Sequence, residues 1–310
     1  MTPLSSSTAS SAVTTAQPAD AMLAAVSQTR ESRGARLRRR LLQRGSTRVA
    51  LGLLLFMVMA ALLAPWFATH NPMAGGNDAL LPPLSPGHWL GTDDLGRDIW
   101  SRVVYGTRVS MLVGIASSAL AVGLGVTVGA VAGYFGGWID AVLMRIAEFF
   151  QTLPRFVLAL IVIALFGAST GKLILVIGLL AWPQMARVVR ATVASLKQAP
   201  FVDAARVAGM PDRAIIASEI LPNVAAPIIV LGSLDIASAI LIEASLSFFG
   251  LGDPNAISWG GMLNDAQQFL RSAWWMSAFP GLAIALTVLA FNMLGDALND
   301  ALNPRGERRP

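Results

Sequence analysis

The sequence predicts an all-α integral membrane protein with about six transmembrane helices. Hydrophobic residues make up 55% of the 310 and charged residues only 13%, whereas soluble domains carry about a quarter charged residues. Mean hydropathy is +0.61. Apolar runs long enough to cross the hydrocarbon recur along the chain. With no cysteine, a disulfide frame and a cysteine metal site are both excluded.

The runs follow in order. Val49 to Phe67 holds no charge, and at 1.5 Å per residue it spans roughly 28 Å. The second is Val109 to Tyr134. The third starts near Ile139, is interrupted by Arg145, Glu148 and Arg155, and ends in the apolar stretch Phe156 to Phe166. Its first half is polar enough to need burial against other helices. Leu173 to Ala186, Val224 to Phe249 and Ala273 to Leu294 complete the set.

Lysine and arginine set the orientation. A basic segment from Arg30 to Arg48, the stretch 187–222 and the tail with Arg305, Arg308 and Arg309 fall on one side. Together they carry sixteen basic residues against five on the other side (Arg97, Arg102, Arg108, Lys172, Arg271), leaving aside Arg145 and Arg155. Both termini are therefore expected in the cytoplasm, and the net charge of +5 reads as topology. A basic nucleic-acid patch would have interleaved aromatics, which are lacking here. Residues 1–47 are expected to be a disordered, basic cytoplasmic segment, with arginines suited to anionic headgroups. No apolar core follows an early basic stretch, so no signal peptide is expected. Residues 48–305 form the membrane domain and 306–310 a cytoplasmic tail.

An external loop is expected over about 70–107. Its charged part runs from Gly91 to Arg102, where Asp98 and Arg102 stand four apart and would pair on a short helix. In the second span Ser117, Ala121, Gly125, Gly129 and Gly133 recur every four residues. They line one face, where small side chains let another helix approach closely. That face suits either ordinary helix packing or a wall of a translocation path.

Catalytic signals are weak. Gly167 to Leu173 has three residues between its glycines and Leu173 after Lys172, so it is a turn and not a phosphate loop. The chain has no nucleotide site of its own and binds no cofactor. His70 and His88, the only histidines, stand eighteen residues apart without HxxxH spacing. They make a poor metal site, and none is assigned. Ionisable groups within spans suggest function. Arg145 and Glu148 can pair on one helix face. Asp235 and Glu243, eight residues apart, lie near one face of the fifth span. They suit either a hydrated path or bonds to neighbouring helices, and Glu243, Asp235 and Glu148 are the candidates for a translocation path.

The stretch Phe201 to Arg213 lies in a loop of some thirty residues, about 193–222, where connectors in bundles usually run about 2–8. It is bounded by Pro200 and Pro222 and broken at Gly209 and Pro211. Two short helices at an angle are expected, the first with Asp203 near its start, favourable for the dipole, and a surface of Ala204, Ala205 and Ala208. Such a knob suits a cleft in another protein.

Asp203-Ala204-Ala205, Gly209 and Leu221-Pro222 resemble the EAA loop of bacterial ABC importer permeases. Gly91-Thr92-Asp93 to Ser101-Arg102 is similar to the GTDxxGRDxxSR segment of the dipeptide/oligopeptide/nickel permeases, C-type subunit. Glu243 to Gly252, Ser258-Trp259-Gly260 with Met262-Leu263, and Gly295-Asp296 with Asn303-Pro304-Arg305 resemble the same family. The resemblance covers about residues 48–305 in order. It departs at Asp203, where the loop's glutamate is expected, and at Glu219, often Ile or His in relatives.

The resemblance implies a type I ABC importer permease fold in the bacterial inner membrane, forming half of a channel for di- or oligopeptides or related solutes. It implies a homologous B-type permease, two ATP-binding subunits that use ATP and Mg, and an extracytoplasmic substrate-binding protein as partners. Asp203, Ala204, Ala205, Gly209 and Pro211 would form the ATPase-coupling loop. The competing class is a stand-alone carrier using Asp235, Glu243 or Glu148 for proton coupling. An intramembrane enzyme is disfavoured, since no Ser–His, Cys–His or HExxH set lies within the spans.

Overall fold

A computed structural model describes residues 45–302. The expectations for residues 1–44 and 303–310 lie outside the described residues. Within them the chain is helical: α1 (Gly45–Leu62), the short α2 (Ala64–Phe67), α3 (Ile99–Phe135), α4 (Gly137–Thr152), α5 (Arg155–Phe166), α6 (Thr170–Leu196), α7 (Pro200–Val207), α8 (Asp212–Leu251), α9 (Trp259–Ala266) and α10 (Trp275–Leu302). Five helices are long and apolar enough to cross a membrane, or six if α4 and α5 form one span bent by 82°. The bend has a local cause: Pro154 lacks an N–H and disfavours helical backbone at Leu153.

The small-residue face of α3 packs on α6. A Cβ on Gly129 would meet the Ala186 carbonyl oxygen at 2.5 Å, and one on Gly133 the Arg190 carbonyl oxygen at 2.6 Å. A Cβ on Gly125 would meet the Met185 side chain at 2.5 Å, and one on Gly178 of α6 would stand 2.9 Å from the Ser117 carbonyl oxygen. In lipid this close approach, not apolar burial, holds helices together. Of the two roles open to that face, the structure assigns helix packing. α8 then lies against α3 and α10, and α10 against α1.

At one end of the bundle, residues 68–98 form a loop; the rest of the stretch expected as loop, through 107, is the start of α3. Asp98 does not pair with Arg102. It caps α3, accepting from the Ser101 backbone N–H and hydroxyl at 2.8 and 2.7 Å and from Thr69 at 3.1 Å. Arg102 instead binds Asp93 and reaches Asp265 of α9 at 2.8 Å, while Arg97 binds the same two carboxylates at 2.6 and 3.1 Å. Four-residue spacing gave neighbours on a helix, but Asp98 precedes the first turn and its carboxylate folds back onto orphan N–H groups. Burial alone would raise the Asp98 pKa. Hydrogen bonds from His88, Ser101 and Thr69 outweigh it and hold the carboxyl below its usual value.

Two matched comparisons test this architecture. Gly129→Ala should lower the thermal stability of the purified protein by about 1–3 kcal/mol, since the carbonyl it meets cannot give way. Gly123→Ala, at an exposed position with no atom within 4 Å, should be neutral. For Asp98, the folded pKa lies below the unfolded value of about 3.9, so its contribution is complete above that pH and lost as pH falls through the folded pKa. Asp98→Ala should melt lower near neutral pH by about 1 kcal/mol, and the gap to wild type should narrow below about pH 4.

Candidate functional site

The end of the bundle opposite the loop carries an elbow. It is shorter than the connector expected over 193–222: α6 continues to Leu196 and α8 begins at Asp212. Pro222 does not bound it but sits inside α8, just after a wide π turn over Ile215–Ile220, where the hydrogen-bond ladder changes register. The two short helices expected there are α7 and the start of α8, joined through Gly209 and Pro211.

One face of α7 is anchored. Val202 and Ala205 are buried among Val189, Val193, Ile215, Ile220 and Val224. The other face is open: Phe201, Ala204 and Ala208 are exposed, and Val207 is 90% exposed. Asp203 is exposed in the first turn and bonds Arg206 at 3.0 Å. Gly209 has φ +78, and a Cβ there would meet nothing within 4 Å. Its constraint is backbone conformation, not space. Pro211 precedes the first turn of α8, where its lack of an N–H breaks no helical bond.

Tyr134, at the last turn of α3, was not singled out from the sequence. It is 3% exposed, donates to Asp212 Oδ1 at 2.5 Å, and lies beneath the Lys197 and Arg206 cations at 5.5 and 5.8 Å. It joins α3, α7 and the start of α8 at one point. The available signal was its rarity, one of two tyrosines in the chain, at the end of a span. Nearby, Arg190 of α6 makes a two-pronged bond to Asp140 of α4, with Nε to Oδ1 at 2.9 Å.

The three candidate carboxylates are not brought together. Glu243 is 1% exposed, and its two oxygens accept from Ser110 at 3.1 Å and Ser247 at 2.7 Å. Here it locks α8 to α3. Glu148 on α4 pairs with Arg145 at 3.2 Å and Arg187 at 3.9 Å. Asp235 is half-buried at the middle of α8, and its Oδ2 has no hydrogen-bond partner.

The loop also departs from expectation at its histidines. It folds back so that His70 and His88 stack at 4.6 Å, with His88 Nδ1 2.9 Å from Asp98 Oδ1. Ligand atoms of these three residues lie within 4.8 Å of one another. Asp98 Oδ2 already accepts from Ser101 and Thr69 at the start of α3, and Oδ1 is engaged by His88 Nδ1, so the donor set fits a structural clamp better than a cation site. Asp253, beyond α8, accepts from the Thr170 N–H at 2.8 Å and hydroxyl at 2.7 Å. Burial would raise its pKa, but these bonds hold it below the usual carboxylate value.

Comparison with known proteins agrees with this architecture. Residues 125–308 match the profile of the binding-protein-dependent transport system inner membrane component family. Residues 32–83 match that of the N-terminal TM domain of oligopeptide transport permease C. The chain is similar to a putative peptide transport system permease protein of Brucella suis biovar 1 (strain 1330), 40% identical over 268 residues, 86% of this chain and 90% of that one. It is 44% identical over 264 residues to the dipeptide transport system permease protein DppC of Escherichia coli (strain K12), covering 83% and 88% of the two chains. It is 40% identical over 262 residues to the glutathione transport system permease protein GsiD of Pectobacterium atrosepticum, covering 83% and 87%. The chain belongs to the inner membrane component family of binding-protein-dependent transport systems, as a multi-pass ABC transporter permease of the dipeptide and oligopeptide C type.

Proposed function

We propose that the chain forms half of the channel of an ATP-driven importer for short peptides, with α7 as the element that receives force from separate ATP-binding subunits. One observation supports this above others: α7 is fixed by Val202 and Ala205 on one side and presents Phe201, Ala204, Val207 and Ala208 unpaired on the other. An exposed apolar knob beside charged Asp203 and Arg206 is suited to a cleft in a soluble partner. The elbow end then faces the cytoplasm, together with both termini, and the loop end faces an extracytoplasmic binding protein. A homologous B-type permease completes the channel. Names of the relatives favour peptides as cargo.

The mechanism follows from what moves as a unit. Closure of the ATPase pair displaces α7. Gly209 and Pro211 fix the angle between α7 and α8, and Tyr134 ties both to α3, so the displacement passes into two long spans. The chain performs no chemistry and binds no nucleotide, and ATP and Mg act on the partners. Its spans alternate access to the two sides of the membrane.

A stand-alone proton-coupled carrier is the second reading, and it rests on Asp235, the one candidate carboxylate with an unpartnered oxygen. Glu243 and Glu148 have their charges engaged within the chain.

Three outcomes are expected. ATP-binding subunits should co-purify with the wild-type chain, and vesicles of the complex should take up dipeptide with ATP and not with a proton gradient alone. Val207→Asp should reduce that co-purification while membrane insertion persists. Gly209→Leu, strained by its positive φ, should retain ATPase activity while uptake falls by about tenfold. Uptake by vesicles holding this chain alone would favour the carrier.

A further inference from the structure

A surface that meets lipid is apolar, yet one line across this bundle is not. On α6, Gln184 and Arg187 are exposed one turn apart. On α4, Arg145 and Glu148 pair at 3.2 Å, and Glu148 reaches Arg187 at 3.9 Å. Arg155, the first residue of α5 after the Pro154 break, donates to the Gln184 side chain at 3.2 Å. α5 also packs against α8, on which Asp235 is half-buried and Ser238, nearly one turn on, is exposed. Each ionised group at mid-depth costs about 2.5–3.5 kcal/mol on insertion scales. A connected set of them faces water or protein, not hydrocarbon.

The middle of this seam is unbalanced. Glu148 answers two arginines. Asp235 takes a hydrogen bond from Ser118, but its buried Oδ2 has no partner, and among the described residues Arg155 has the neutral Gln184 amide as its hydrogen-bond partner. Their charges act on each other, but they form no ion pair among the described residues. An anion and a cation are therefore held apart on two helices, at the level where the α4–α5 span is broken. Broken helices near the midplane are where transporters place their substrates.

We propose that Asp235 and Arg155 form a mid-membrane subsite for the two charged ends of a short peptide. Asp235 takes the ammonium, and the Arg155 fork, with the Gln184 amide beside it, takes the carboxylate. A lone cation satisfies only Asp235 and a lone anion only Arg155, whereas a peptide with free ends brings both charges on one molecule. Because each protein charge keeps the other partly compensated, the site holds cargo weakly enough to release it. The proposal rests on the importer function above and adds to it the chemistry that the channel recognises.

The chain has no cysteine, so Ser238→Cys gives it a single thiol beside the site. In nanodiscs holding the whole permease–ATPase complex without binding protein, maleimide labelling of that thiol is read by mass on this chain. Alanyl-alanine should slow labelling by about tenfold, and its N-acetyl and C-amide forms should protect much less. Adding Asp235→Asn should abolish the advantage of the free amine, and adding Arg155→Gln that of the free carboxylate. Absence of labelling, absence of protection, or equal protection by the blocked peptides overturns the subsite. ATP-driven uptake by the same complexes, measured separately with binding protein, shows whether the importer function stands when the subsite fails.

Discussion

Two helices in a bilayer gain little by hiding leucine from each other, because lipid is as apolar as leucine. What α3 and α6 gain is contact between backbones, available only where side chains are missing. Gly125, Gly129 and Gly133 supply it from α3, and Gly178 returns it from α6. The carbonyl oxygens of Ala186 and Arg190 then stand where a Cβ would be. This contact also fixes Val189 and Val193 against Tyr134, and so positions the apolar cluster on which α7 rests.

α3 is 37 residues long, about 55 Å at the helical rise, well beyond the hydrocarbon thickness. Its ends project into water on both sides, and both are tied. At one end Asp98 caps it and Arg102 binds Asp93 and Asp265. At the other, Tyr134 binds Asp212 under two cations. Asp212 stands just past the elbow, so a displacement of α7 that passes through Gly209 and Pro211 must break the Tyr134–Asp212 bond or carry α3 with it. A charge-assisted hydrogen bond is stronger than a neutral one, which favours movement as one piece.

Hydropathy made the spans legible because burial in lipid acts on every residue of a run. The glycine face was legible for a related reason: a helix repeats its faces at a fixed period. What failed depended on chain reversal. His70, His88 and Asp98 meet because the loop folds back, and no spacing rule encodes that. Asp98 and Arg102 had the right spacing for a pair, but the helix begins between them, and a capping carboxylate is not available to a side chain four residues on. Pro222 suggested a boundary that the π turn before it removes. Asp235 and Glu243 looked equivalent at eight residues. That spacing turns a helix by about 80°, enough to put one against Ser110 and leave the other half-buried.

The same rotation gives a way to tell structural from functional charge in this bundle. Glu243 satisfies both oxygens within the chain, through serines of α3 and α8, so its burial needs nothing from outside. Asp235 keeps one oxygen without a partner and Arg155 meets a neutral amide, and a chain alone in lipid would bear the cost of each. The outer face of α7 is likewise open. Polar groups left open at mid-depth and apolar groups left open at the water-facing end are inverted relative to what a self-sufficient membrane protein needs. The partners proposed for the elbow and the seam would remove these inversions in two different ways. The chain's surface is in this sense that of a part, built for contacts it does not itself contain.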